Sequence, residues 1–134
     1  LEPTLLTRAG RSTLERYRDG GTVVFTVHRA SDILQVLGFA RRQGVRPVIH
    51  GGAEAWIVAE ELARAGVPVL LDPLLNLPRN FDMLGARLDN AALLAEAGVV
   101  IAISGAESHN ARKVRPMAGT PSPSWPMCGT IRWR

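Results

Sequence analysis

The chain reads as an α/β protein built from parallel β/α units, on three observations. Short apolar runs rich in β-branched residues alternate with helical patterns of ten to fourteen residues. The junctions recur as helix, glycine, valine, strand in QGVRPVIH, AGVPVLLD and AGVVIAIS. The units are of similar length, and strands joined by helical crossovers run parallel with a right-handed connection.

The elements follow in order. Residues 4–18 are weakly helical, and Asp19-Gly20-Gly21 ends them with turn residues. TVVFTV is apolar on both faces, as in a strand covered on two sides. Residues 31–44 make a helix: Ser31 or Asp32 is placed to cap it, Ile33, Leu34, Leu37 and Ala40 form its stripe, and Gly44 closes it. RPVIH is the second strand, residues 53–66 the next helix with Glu54 in its first turn, and PVLLD the third strand. Asp89 caps and Gly98 stops a further helix, residues 89–98, VVIAIS is a fourth strand, and SHNARKVR begins another helix.

A length of 134 residues fits one domain with a buried core. The apolar runs are strand-sized, so neither a membrane span nor a signal peptide is expected. The net charge of +4 owes two charges to Arg132 and Arg134, and the remaining charges are scattered without an aromatic ladder. Nucleic acid is therefore not an expected partner. The single cysteine, Cys128, excludes an internal disulfide and leaves the compartment open. The tail PSPSWPMCGTIRWR, residues 121–134, abandons the helical pattern. It holds three of nine prolines, two of three tryptophans and the cysteine, in a chain where arginine outnumbers lysine fifteen to one. GC-rich coding read out of frame has that composition, and a genuine irregular terminus is the alternative. Residues 1–120 are thus read as the domain and 121–134 as an irregular tail.

His28, His50 and Asp72 follow at steps of 22 residues, each at the C-terminal end of its strand, the rim where α/β folds gather ligands. Two imidazoles on adjoining strand ends have the chemistry of a metal pair. Asp72 belongs to the same rim, although Asp-Pro also simply opens a loop. Asp32 and Glu54, each four residues after a histidine, read as carboxylates favoured in a first helical turn. Gly51 and Gly52 precede a helix and are placed either to cradle an anion or to make a tight turn. SGAESHN brings Ser104, Glu107, Ser108 and His109 towards the rim. Glu107 is a candidate to orient or ligate, or an ordinary polar loop residue. The loop at residues 73–87 is either a lid or a tolerated insertion. Neither G-x-G-x-x-G nor Walker A follows a strand.

VHRASDILQVLGFARRQGVRPVIHGGAEAWIVAEELARAGVPVLLDPLLNLP, with SGAESHNARKVRPMAG after it, resembles the amidohydrolase superfamily, in particular its imidazolonepropionase-like, dihydroorotase-related members. The likeness covers about residues 20–120. It implies part of a (β/α)8 barrel, strands five to eight, and hydrolysis of amide or cyclic amide C–N bonds with a divalent metal, zinc above all. It implies His28 and His50 as metal ligands and Glu107 as the acid that assists the water. Gly51, Gly52, Asp72 and His109 would then face the small-molecule substrate. The family's strand-one His-x-His is missing from these residues, so the polypeptide alone is expected to be inactive. The missing half-barrel or a second copy is its expected partner. A non-enzymatic α/β module binding an anion or small molecule, or a degenerate gene product, are the alternatives.

Overall fold

The computed structural model describes residues 20–72, Pro78 and residues 80–104, together with Ser12, Glu15 and Tyr17, which are helical. Strand β1 spans Thr22–Val27, helix α1 Ala30–Gln43 and strand β2 Arg46–Gly51. A 3-10 turn at Ala55–Val58 leads into helix α2, Ala59–Ala65, and then strand β3, Val69–Leu71. A second 3-10 turn at Phe81–Met83 precedes helix α3, Asn90–Glu96, and strand β4, Ile101–Ile103. The sheet has the order β1-β2-β3-β4 and every pair is parallel. A parallel α/β fold is therefore present, strand for strand as the sequence predicts.

Burial explains why these segments settle where they do. Ile33 of α1, Leu62 of α2 and Leu94 of α3 are fully buried against Ile49, Val69 and Leu71 of the strands. Each such side chain contributes about 1.5–3 kcal/mol by leaving water. Helices α1 and α2 end where Gly44 and Gly66 adopt left-handed backbone at φ 69° and 64°, a conformation that glycine enters without a Cβ clash.

Two local expectations are corrected. The N-cap of α1 is Arg29, which makes no side-chain cap, so neither Ser31 nor Asp32 caps the helix. Asp32 does lie in its first turn, and its Oδ1 accepts from the Ser31 hydroxyl at 3.3 Å. Strand β1 is also not covered on both faces among the described residues: Thr22, Val24 and Thr26 are exposed, while Val23, Phe25 and Val27 are partly buried. Among the described residues the helices stand on the odd-numbered face alone. Its apolar residues on both faces are a response to two neighbours, of which the described residues supply one.

Candidate functional site

The register places the histidines. Thr26 pairs with His50 and Val27 with Gly51, so one step further His28 lies level with Gly52. The offset between β1 and β2 is thus 24 residues rather than 22. Between β2 and β3 it shrinks, His50 aligning with Leu70. His28 consequently stands one two-residue step, ~6.6 Å, further along the strand direction than His50. Equal parity keeps both on the same face of the sheet. The even 22-residue step therefore does not set the two rings at equal height along the strands.

His28, His50 and Asp72 line one hollow of about 150 Å³ with Thr26, Gly51, Ala53 and Met83. Asp72 is almost wholly buried, at 4% exposure. His50 Nδ1 lies 3.3 Å from the Thr26 hydroxyl. With Nδ1 protonated and donating to that oxygen, the Nε2 lone pair of His50 is left for a ligand. His28 lies flat on the end of β2: a Cβ at Gly51 would come within 2.5 Å of its Cε1 and 2.9 Å of its Nδ1. No residue but glycine leaves room for that ring. His28 Nδ1 is buried and makes no hydrogen bond within the described residues. An unpartnered buried polar atom is destabilising by about 1–3 kcal/mol, and a ligand or a donor from elsewhere would relieve it.

The HGGAE turn is held from three sides. Gly52 N–H donates to the Val27 carbonyl at 2.7 Å, Glu54 N–H to the His28 carbonyl at 2.8 Å, and Ala55 N–H to the Gly52 carbonyl at 3.0 Å. Buried Asn90, the first residue of α3, donates its Nδ2 to that same carbonyl at 2.9 Å. These bonds describe a tight strand-to-helix turn. The amides of Gly52 and Glu54 are committed inside the chain, which leaves the anion-cradle alternative without them. Glu54 does not serve its own helix. Its Oε2 accepts from the Ala30 N–H, at the first turn of α1, at 3.0 Å.

Sequence reasoning missed Thr26, Met83 and Asn90. Thr26 was accessible by parity, two residues before His28 on the same strand face. Met83, almost fully buried, comes from the second 3-10 turn, inside the loop whose length alone had marked it. Asn90 read as a helix residue beside the Asp89 cap. Asp89 instead takes a bidentate pair of hydrogen bonds from Arg87, at 2.7 and 2.6 Å, and makes no side-chain cap. That pairing lowers the Asp89 carboxyl and raises the Arg87 guanidinium from their ordinary values, the hydrogen bond being the larger cause for both. Glu107, Ser108, His109, the SHNARKVR helix and the tail at 121–134 lie outside the described residues. Ser104 lies inside them, its N–H donating to the Leu71 carbonyl at 2.8 Å.

A metal fits these residues in part. Two imidazoles edge one small hollow, and one carries an unpartnered buried nitrogen. Among the described residues, however, no three His, Cys, Asp or Glu side chains gather as a set able to hold an ion. Catalytic zinc takes about three protein ligands. Among the same residues no helix is long and apolar enough to cross a membrane.

No protein-family model matches the chain. The amidohydrolase tasK of Hapsidospora irregularis is 40% identical over 84 residues, covering 58% of this chain and 9% of that protein. The crystal structure of an amidohydrolase from Thermotoga maritima MSB8 superposes with a TM-score of 0.68 at 27% identity, covering 75% of this chain and 27% of that one. The chain thus spans less than a third of either relative's length. Two likenesses, one of sequence and one of fold, relate this chain to the amidohydrolase superfamily.

Proposed function

We propose that this chain forms one side of a metal-dependent amidohydrolase site acting on amide or cyclic amide C–N bonds. His28 and His50 would supply two of the ligands of a divalent ion such as zinc. The observation that carries the reading is the shared hollow: His28, His50 and Asp72 line it together at the C-terminal ends of three adjoining parallel strands. The amidohydrolase relatives support hydrolase-like chemistry of this kind. When bound, such an ion lowers the pKa of its water towards about 7 and polarises a carbonyl.

The chain's own groups have definite tasks in this reading. The Thr26 hydroxyl, 3.3 Å from Nδ1, orients the His50 ring. Gly51 leaves the space in which the His28 ring lies. Ala53 and Met83 give the hollow an apolar wall. Asp72 and Gly51 line the hollow and would face the substrate, whereas Gly52, its N–H held by the Val27 carbonyl, does not line it. Glu107 is proposed as the acid that assists the water and His109 as a substrate contact, both beyond the described residues. Further ligands must come from outside those residues as well, so the polypeptide alone should have negligible turnover.

Titration calorimetry with Zn²⁺ on the full chain tests the reading. One ion per chain is expected, with affinity about tenfold or more weaker in His28→Ala and in His50→Ala. Zinc uptake unchanged in both variants, or absent from the wild type, would contradict it.

A further inference from the structure

Glu54 makes two bonds to a stretch of chain 24 to 26 residues away. Its N–H donates to the His28 carbonyl at 2.8 Å, and its Oε2 accepts from the Ala30 N–H at 3.0 Å. The bonds straddle Arg29, so the carbonyl of His28 and the amide of Ala30 are tied to one residue of the next β/α unit. The carboxylate is backed on its other side by Gly85. A Cβ there would meet Glu54 Cγ at 2.6 Å, Oε1 at 2.8 Å and Cδ at 3.0 Å. Gly85 is itself anchored, because its carbonyl accepts from Trp56 Nε1 at 2.9 Å.

We propose that Glu54 is a positioning residue: it clamps the end of β1 so that the His28 ring rests on Gly51 and edges the hollow. The geometry needs this side chain. The first amides of a helix have no acceptor within it, and an anion there is favoured by the helix dipole. Aspartate, one methylene shorter, leaves the carboxylate short of Ala30. Glutamine retains length and one acceptor oxygen. Among the described residues His28 Nδ1 has no hydrogen bond to hold the ring, which rests against Gly51, so releasing the backbone should release the ring. The importance of that orientation rests on the reading of His28 as a metal ligand; the clamp itself does not.

Nuclear magnetic resonance of the full chain, labelled with ¹⁵N and observed at the Ala30 amide and both histidine rings, tests the clamp without metal. In Glu54→Ala the Ala30 amide should lose its exchange protection and its downfield shift. The His28 ring signals should move, and those of His50, held through Thr26, should not. Glu54→Gln should restore Ala30 and His28 towards wild type. Gly85→Ala, which touches neither residue, should disturb both by pushing on the carboxylate, and it serves where Glu54→Ala does not fold. Unmoved His28 signals in a folded Glu54→Ala chain, equal effects of alanine and glutamine, or a silent Gly85→Ala would each overturn the proposal. Zinc affinity should then fall about tenfold in Glu54→Ala and recover in Glu54→Gln. A wild type that ignores zinc while these ring and amide shifts appear sinks the metal reading and leaves the clamp standing.

Discussion

A methyl group at Gly51 would stand 2.5 Å from the nearest atom of the His28 ring, on a backbone whose φ is 94°. Two separate penalties meet there, backbone strain and the displaced imidazole. Gly51→Ala should destabilise the chain by about 1–3 kcal/mol through the backbone alone, and it should move the His28 ring resonances as well. Gly66→Ala is the control: its φ of 64° brings strain, but nothing lies within 4 Å of the added carbon. Urea denaturation of both, with the histidine ring spectrum, separates the two effects. A silent His28 spectrum in Gly51→Ala would contradict the placement of the ring. At this scale the histidines were legible in the sequence, because a polar group ending an apolar run is conspicuous. The residues that hold them were less so. Glu54 read as the first-turn acid of its own helix, since nothing local shows that its carboxylate reaches across 24 residues to α1.

Among the elements, the strands were legible almost residue by residue, and the crossovers less so. TVVFTV and RPVIH have the β-branched, glycine-bounded signature that sheet burial requires, and they became β1 and β2. The segment after His50 has the helical apolar stripe, but its first turn is 3-10 at Ala55–Val58, tightened where the chain leaves the Gly52 turn. The loop into α3 shows the same limit. Arg87 sits over the Trp56 ring at 4.7 Å while it grips Asp89, and neither contact has a local pattern. The pair also makes a pH prediction. Asp89 has its folded pKa lowered, chiefly by the hydrogen bonds from Arg87. Its contribution is therefore fully present above the unfolded carboxylate range and is lost as pH falls through the lowered folded value. The pair is exposed, so the effect on stability is small and screened by salt. Arg87→Gln should return the Asp89 carboxyl towards its ordinary range, read from the ¹³C shift of that carboxyl against pH. An unchanged Asp89 titration would show that Arg87 does not set it.

On the scale of the whole molecule, the sheet is helix-covered on one face only among the described residues. Val24 is 57% exposed, Val100 is 71% exposed, and Phe25 and Phe39 stack edge to face at 6.0 Å beside the edge of β1 that is unpaired among the described residues. Exposed apolar residues beside an unpaired strand edge favour association. The isolated chain should accordingly self-associate, with sedimentation velocity showing species larger than a monomer. Lysine at Val24 and Val100 should shift it towards the monomer. It should also fail to hydrolyse dihydroorotate-type cyclic amides with zinc supplied. A stable monomer with turnover would contradict both expectations. The parallel α/β class followed from the repeated helix–glycine–valine–strand junctions. The height of each strand against its neighbour did not, because register depends on how each crossover packs, and the even 22-residue step concealed offsets that differ between the two strand pairs.

Two imidazoles, His28 and His50, line one hollow. The most direct measurement is the histidine ring ¹⁵N spectrum of the full chain as Zn²⁺ is added. Both His28 and His50 should shift together and saturate at a single equivalent. Movement of one ring alone, or of the two at separate equivalents, would show that they face different ligands and would end the case for a shared site.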